Sequence, residues 1–254
     1  MSKITLHGFN NLTKNLSFSL YKLHYLNDKQ AHQNYNAYVN KHFCANNLTA
    51  LLIKISHAIG GNVLNIAKQD YQPQGASVTL MISEEAQPTS CAESLVAHLD
   101  KSHICIHTYP EESPQDGIAI FRADIELSTC GVISPLKVLN YIIEEFNGDV
   151  IDIDYRVRGM TRDKQGNKLF VDENPINISD YLNPKLITRF KIENHNMPNS
   201  NLFHSKLSKA EVCLDNFLFG CQTADLTELK QGEIKAQIQC EIQQLFTSST
   251  QRVM

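Results

Sequence analysis

The sequence predicts an α/β (α+β) sandwich in which helices cover a mainly antiparallel β-sheet from the outside. Three observations support this class: short segments alternate apolar and polar residues, turn-rich stretches separate some of them, and longer segments carry apolar residues at helical spacing. With 254 residues and 42% hydrophobic content, the chain can bury a full core. We therefore expect it to fold without disulfide staples.

The first predicted elements are a strand, two helices and a second strand. Leu16 to Leu20 alternates with period two, and residues 27–43 have a more helical pattern. A second helix is predicted over residues 48–59 and ends at two glycines, because glycine readily adopts the left-handed backbone that ends a helix. Residues 76–82 predict the next strand.

The central part of the chain predicts a loop followed by two neighbouring strands. Residues 83–93 are mostly polar and show no period, which is typical of a surface loop. Residues 104–108 and 118–127 both alternate, and the turn-rich residues 110–117 separate them.

The last predicted elements are a helix, a strand, a loop-rich stretch and a long helix. Ser134 is placed to cap the first of these helices and Pro135 to occupy its first turn, and residues 150–157 follow as a strand. Residues 182–205 are rich in Asn and Pro and predict loops. Residues 226–246 repeat apolar side chains at four-residue spacing and predict an amphipathic helix that packs on the core or on a sister subunit.

Composition and charge exclude several classes of function. The net charge is -4 and no block is rich in Lys or Arg, so the basic footprint of a nucleic-acid-binding protein is missing. No stretch approaches the roughly 18 to 20 apolar residues of a membrane helix, and the first residues contain no apolar signal core. Seven scattered cysteines without a C-x-x-C pair argue against a disulfide framework or a structural zinc site. We expect a cytoplasmic protein that contacts neither nucleic acid nor membrane.

Residues 98–111 place a serine, histidines and a thiol within a few positions. A β-strand with His103, Cys105 and His107 on its polar face accounts for the spacing by itself. A metal site built from these three side chains is disfavoured, because alternate residues of one strand diverge and no fourth ligand is near. A Ser-His-Asp hydrolase is disfavoured too, since the G-x-S-x-G turn is absent.

Ser102 offers a fourth explanation, in which the chain cuts itself. Its hydroxyl oxygen can attack the carbonyl of Lys101 and convert the peptide bond to an ester. Elimination of the Lys101 carboxylate then leaves dehydroalanine, which hydrolyses to a pyruvoyl group. Such a group can accept carbanion charge in place of pyridoxal phosphate.

Five segments of the chain resemble those of the proteobacterial, pyruvoyl-dependent S-adenosylmethionine decarboxylase proenzymes. They are residues 3–14, 65–79, 98–111, 121–137 and 152–159. The resemblance runs from the amino terminus to about Asp163 and weakens afterwards. It implies that Ser102 becomes a pyruvoyl group, which forms a Schiff base with the substrate, and that cleavage falls between Lys101 and Ser102.

The same resemblance implies roles for other residues. His107 matches the proton acceptor of processing, and Cys130 matches the proton donor of catalysis. Glu111 matches an acidic residue near the substrate. A helper serine for the acyl shift is expected at either Ser77 or Ser94, and the sequence does not choose between them.

Two carboxylates are left out of the predicted site. Asp124 and Glu126 lie two residues apart on one strand face, where they are more often solvated or paired with Arg122 than catalytic.

The resemblance implies a carboxy-lyase activity, which converts S-adenosylmethionine to the decarboxylated form used in spermidine synthesis. It also implies an αββα arrangement, oligomers of αβ units and stimulation by Mg²⁺. We expect a β chain of residues 1–101 and an α chain of residues 102–254, with a decarboxylase core at 1–165 and a carboxy-terminal extension at 166–254. Two rivals stay open: a pyruvoyl decarboxylase of another amino acid such as arginine, and an α/β binding module that does not process.

Overall fold

The computed structural model describes residues 6–83, 102–111, 116–171, 173 and 175–249. Within them lie twelve strands and five α-helices. The strands are β1 (Leu6–Asn10), β2 (Thr13–Leu26), β3 (Asn62–Asp70), β4 (Ala76–Ser83), β5 (Ser102–Pro110), β6 (Ile118–Cys130), β7 (Val150–Arg158), β8 (Thr161–Asp163), β9 (Lys168–Leu169), β10 (Phe190–Asn194), β11 (Leu202–Lys209) and β12 (Leu218–Phe219). The helices are α1 (Lys29–His42), α2 (Ala45–Ile59), α3 (Leu139–Phe146), α4 (Pro184–Arg189) and α5 (Glu228–Thr247).

One large sheet contains nine of the described strands. Their order is β10-β11-β7-β2-β6-β5-β4-β3, and β12 pairs with the end of β2. All neighbours along that path are antiparallel, while β1, β8 and β9 form a small second sheet. This confirms the predicted fold class, a mainly antiparallel sheet with helices outside.

Helices cover one face of the large sheet. The buried sides of α1, α2 and α3 pack against every second side chain of the strands, so that Leu52 and Ile142 from helices join Leu16, Ile104 and Ile125 from the sheet. Burying each such side chain contributes about 1.5–3 kcal/mol. The alternation seen in the sequence therefore decides which face of each strand meets the helices.

The other face of the large sheet, called the polar face below, carries hydrophilic side chains. Antiparallel pairing aligns them in rows, because directly opposite residues point to the same side of a sheet. One row contains Lys206, Asp152, Ser19, Asp124, His107 and Ser77, and the next contains His204, Asp154, Ser17, Glu126, Cys105 and Thr79. All of these side chains are partly exposed.

Helix α5 lies over one end of the polar face. Its buried stripe, Ile234, Ile238 and Ile242, packs onto Leu23 and Val150, where the sheet becomes apolar. The four-residue spacing puts these isoleucines on one side of the helix. The amphipathic helix predicted at the carboxy terminus is thereby confirmed.

A buried ionic cluster fixes the chain just before α5. The fully buried Asp149 accepts hydrogen bonds from Lys22 (3.1 Å) and the amide of Leu23 (2.8 Å), and it forms an ion pair with Lys209 (2.6 Å). Both ammonium groups lie over the ring of Phe217. Burial lowers the pKa of Lys22 to about 8. Loss of one partner would leave a buried charge uncompensated, which is strongly destabilising. The cluster therefore links Lys209 and Phe217, which precede α5 in the chain, to Lys22 of strand β2.

Some predicted details differ from the structure. Ser134 makes no side-chain capping bond, since a 3₁₀ turn at Pro135–Val138 precedes α3. Residues 182–205 form α4, β10 and the start of β11 as well as loops. These strands lie beyond residue 165 yet join the large sheet, and the domain boundary itself stays a prediction. No helix in the described ranges is long and apolar enough to cross a membrane.

Candidate active site

Ser102 is the first residue of β5 and is buried, with 3% of its surface exposed. Strand β5 lies between β4 and β6, and Ser102 is paired with Ile82 of β4. Its neighbour His103 is paired with Ser128 of β6, so β5 is held in the sheet from both sides directly after Ser102. Lys101 and Ser94 lie outside the described residues.

Strand β6 brings Cys130 to Ser102. The amide of Cys130 donates a hydrogen bond to Ser102 Oγ at 3.1 Å, and Cys130 Sγ lies 3.4 Å from the same oxygen. The chain then turns away at Gly131, whose φ of +63° favours glycine. The thiol is therefore within reach of any group that forms at residue 102.

His107 lies further along the same strand and on its opposite face. Five residues separate it from Ser102, which corresponds to roughly 16 Å along a strand. Ser102, Ile104 and Ile106 belong to the buried series of β5, whereas His107 belongs to the partly exposed series on the polar face. One chain alone does not bring His107 to its own Ser102.

The surroundings of His107 are polar and well connected. Asp124 lies directly opposite it, accepts a hydrogen bond from Ser19 Oγ (2.9 Å) and is paired with Arg122 (Nε to Oδ1, 3.0 Å). Arg122 lies over the ring of Tyr109, which stacks with His107 at 6.4 Å between ring centroids. Of the two non-catalytic situations expected for Asp124, solvated or paired with Arg122, the structure shows the pair.

Ser77 is the other direct neighbour of His107. It is paired with His107 across β4 and β5, and it lies on the polar face. Side chains paired in this way have Cβ atoms about 4.5–5.5 Å apart. Sequence reasoning did not place Ser77 beside His107, because strand register is not a local property of the chain.

Glu111 lies at the far end of β5 from Ser102. Nine residues separate the two, which corresponds to roughly 30 Å along a strand. The Glu111 carboxylate accepts a hydrogen bond from the amide of Ile120 at 3.0 Å. Like His107, it does not reach the Ser102 of its own chain.

The described residues hold no cluster suited to a metal ion. No three His, Cys, Asp or Glu side chains among them are grouped in a way that can bind one. Their six cysteines are free thiols. The donors that magnesium prefers are therefore not assembled in this part of the chain.

Comparison with known proteins gives a consistent set of relatives. Residues 35–159 match the family model described as S-adenosylmethionine decarboxylase. The S-adenosylmethionine decarboxylase proenzyme of Pseudoalteromonas translucida (strain TAC 125) is 46% identical over 96% of this chain and 94% of the relative. The proenzyme of the same name from Pseudomonas syringae pv. syringae (strain B728a) is 47% identical over 96% of this chain and 97% of the relative. That of Citrobacter koseri is 45% identical over 97% of both chains.

Two solved structures are similar at a greater distance. The adenosylmethionine decarboxylase of Aquifex aeolicus VF5 has a TM-score of 0.36 and 18% identity, covering 66% of this chain and 99% of that chain. The Trypanosoma brucei AdoMetDC-delta26 monomer has a TM-score of 0.39 and 13% identity, covering 78% of this chain and 66% of that chain.

Proposed function

The chain belongs to the S-adenosylmethionine decarboxylase family, and we propose that Ser102 supplies the pyruvoyl group with which it works. Family membership makes it a lyase that removes carbon dioxide from S-adenosylmethionine and yields the decarboxylated product for spermidine synthesis. The relatives are named proenzymes, which implies a cofactor made from the chain itself. Membership also favours S-adenosylmethionine over another amino acid, such as arginine, as the substrate.

The geometry around Ser102 supports its role as the source of the pyruvoyl group. The hydrogen bond from the amide of Cys130 holds the Ser102 oxygen in place. When a nucleophile is held close to the carbonyl that it attacks, the reaction has a lower barrier, because the entropy of bringing the two groups together is already lost. The pyruvoyl group would supply an electron sink for the pair left on the substrate's α-carbon when carbon dioxide departs. Release of carbon dioxide from S-adenosylmethionine by the purified, cleaved protein tests the activity.

Cys130 is the proposed proton donor to the decarboxylated substrate. Its sulfur lies 3.4 Å from Ser102 Oγ, so it borders the place where the substrate's α-carbon is held. A positioned thiol can deliver a proton to a carbon that has just lost its carboxylate.

Cys130→Ala is expected to cleave normally but to turn over at least about 100-fold more slowly, because a positioned general acid contributes that much. Cleavage is measured by gel electrophoresis and turnover by carbon dioxide release. Cys105→Ala is the matched control, since Cys105 is a partly buried thiol on the polar face, in the row next to that of His107. Wild-type turnover by the Cys130 variant, or an equal loss in the Cys105 variant, would contradict the assignment.

We propose that two copies meet through their polar faces, so that His107 of one acts on Ser102 of the other. The separation of the two residues within one chain carries this proposal. A two-fold axis between the sheets, perpendicular to β5, exchanges the two ends of that strand and brings His107 to the end of the partner's β5 at which Ser102 lies. Helices, sheet, sheet and helices then give the αββα arrangement implied by the resemblance.

Charge complementarity supports the same axis. Asp152 lies in the row of His107, and Arg156 and Arg158 follow it on β7 toward the end of the sheet that holds Ser102. The axis therefore brings Asp152 of one copy between the two arginines of the other. Opposite charges in matching positions favour one register of association over its alternatives.

Ser77 is the proposed helper of the acyl shift, because it stands beside His107 and reaches the partner's Ser102 with it. Ser77→Ala is expected to slow cleavage about tenfold or more through the loss of one positioned hydroxyl. The rate is measured from the accumulation of the two fragments after synthesis. Thr79→Ala removes a hydroxyl from the same strand face, opposite Cys105 rather than His107, and is expected to cleave like the unmodified chain. Equal rates for both variants would reject Ser77 as the helper.

Two further expectations remain predictions. Stimulation by magnesium is one of them: the described residues contain no group of side chains suited to bind the ion, and none of the proposed steps uses it. A cytoplasmic location agrees with the sequence pattern.

A further inference from the structure

The imidazole of His107 lies among side chains of three strands on the polar face. Asp124 of β6 is directly opposite it on one side, and Ser77 of β4 is directly opposite it on the other. Along β5, Cys105 and Tyr109 are the neighbouring residues on the same face. Directly opposite residues have Cβ atoms about 4.5–5.5 Å apart, so the carboxylate of Asp124 is close enough to pair with a protonated His107.

Arg122 already engages that carboxylate. Its Nε donates hydrogen bonds to Asp124 Oδ1 at 3.0 Å and to Oδ2 at 3.2 Å, and its Nη2 also donates to Oδ2. Ser19 Oγ donates a further bond to Oδ1 at 2.9 Å. Hydrogen bonds from an arginine to both oxygens of a carboxylate are among the stronger ones in proteins. Both oxygens of Asp124 are therefore occupied, and its negative charge is balanced on its own strand.

Tyr109 supports Arg122 from β5. The two residues are directly opposite each other, and the guanidinium carbon lies 4.7 Å from the centroid of the tyrosine ring. The same ring is within 13° of parallel to the imidazole of His107. A guanidinium over an aromatic face is attracted by the negative face of the ring. Arg122 is thus held at two points, by Asp124 and by Tyr109.

We propose that Arg122 is a positioning residue of self-cleavage, which keeps the charge of Asp124 from pairing with His107. The inference rests on the proposed function and deepens it, since His107 is there the proton acceptor of processing. A base must be unprotonated to accept a proton, and an unpaired carboxylate beside it favours the protonated imidazolium. The ion pair between Arg122 and Asp124 carries no net charge, so it leaves His107 able to act as a base. In the proposed dimer the partner's sheet covers this face, which reduces the screening of these charges by water.

The other titratable groups near His107 on this face are neutral or have partners. They are Cys105 and Tyr109 of β5, Glu126 of β6, Tyr21 of β2 and Asp152 of β7. Glu126 accepts a hydrogen bond from Asn15 Nδ2 at 3.1 Å, and Asp152 forms an ion pair with Lys206. Burial raises the pKa of Tyr21 and of Cys105, so that the hydroxyl and the thiol stay uncharged near neutral pH. Strand β4 adds the uncharged hydroxyls of Ser77 and Thr79.

The test is the pH dependence of self-cleavage. Each chain is synthesised in a cell-free reaction and transferred to buffers from about pH 5 to about pH 9, and the two fragments are followed on a gel. Arg122→Gln leaves Asp124 unpaired and is expected to raise the pH of half-maximal cleavage by about one unit. Cleavage then slows up to about tenfold at the acidic end of the range and keeps its rate at the alkaline end.

Two companion variants check the sign of the effect. Asp124→Asn leaves the charge of Arg122 unbalanced beside His107, so it is expected to lower the pH of half-maximal cleavage. The double variant, Arg122→Gln with Asp124→Asn, removes both charges and should return close to the unmodified profile. Arg189→Gln is the matched control, because Arg189 also lies over an aromatic ring and bonds to an oxygen, that of Asn147, but far from β5 in the strand order. It should leave the profile unchanged.

The outcomes separate this inference from the proposed function. An unmoved profile for Arg122→Gln, a loss of rate that is equal at every pH, or a shift that persists in the double variant would overturn the role of Arg122. The unmodified chain would still cleave and release carbon dioxide in each of these cases. If the unmodified chain does neither, the proposed function itself fails.

Discussion

Ser102→Ala is expected to remain one uncut chain of 254 residues with no decarboxylase activity. Without the hydroxyl, the peptide bond before residue 102 loses its internal nucleophile, and alanine has no leaving group from which a pyruvoyl group can arise. The loss should be complete, because the variant lacks the cofactor itself. Intact mass measurement shows it directly: the unmodified chain should give two fragments, the larger with a blocked amino terminus.

A second buried serine controls for the loss of a hydroxyl in the sheet. Ser208 of β11 is also buried, and it lies far from β5 in the strand order. Ser208→Ala should cleave like the unmodified chain. A Ser102→Ala chain that still cleaves, or that decarboxylates uncut, would show that the electrophile has another source.

Two inactive chains are expected to rescue each other. Ser102→Ala keeps His107 but has no source of a pyruvoyl group, whereas His107→Ala keeps Ser102 but should process poorly by itself. In a mixed dimer, His107 of the first variant faces Ser102 of the second. With equal co-expression and random pairing, about half of the His107→Ala chains should be cleaved. Differently tagged chains make the fragments distinguishable on a gel.

The control for rescue is a partner without any His107. A chain carrying both Ser102→Ala and His107→Ala should leave co-expressed His107→Ala uncut. If the singly substituted Ser102→Ala chain also fails to rescue, His107 does not act across the dimer, although Ser102 can keep its role. Efficient cleavage of His107→Ala by itself would remove the processing role of His107.

Local patterns were enough to predict much of the large sheet and its helices. The predicted strand at Leu16 to Leu20 lies inside β2, whose alternation continues from Thr13 and breaks only near Lys22. The break has a tertiary cause, because Lys22 reaches the buried Asp149. Helix α2 ends at Gly60 with a left-handed φ of +93°, as the glycine pair predicts.

The missed strands are those for which local patterns carry little information. Strand β3 lies at an edge of the sheet, and most of its residues are exposed, so neither of its faces is consistently apolar. Strands β10 and β11 form a hairpin whose Asn- and Pro-rich turn dominates the composition of the segment. Turn composition therefore made the β10–β11 segment resemble a loop, whereas edge position left β3 without a regular alternation.

The candidate site was predictable in its residue types but not in its geometry. Resemblance singled out Ser102, His107 and Cys130, yet nothing local shows that Cys130 contacts Ser102. That contact depends on the register between β5 and β6, which the cooperative pairing of the whole sheet determines. The same register separates His107 from Ser102 and places Ser77 beside it.

The position of Ser102 within the strand order has a lasting consequence. A cut before it assigns β2, β3 and β4 to one polypeptide and β5, β6 and β7 to the other. Because β2 lies between β6 and β7, and β4 lies beside β5, the two products are interwoven in one sheet. Neither product can dissociate until the hydrogen bonds between their strands are broken, so cleavage leaves the folded structure intact. After unfolding, the two products must meet before they can refold, whereas the precursor refolds as a single chain.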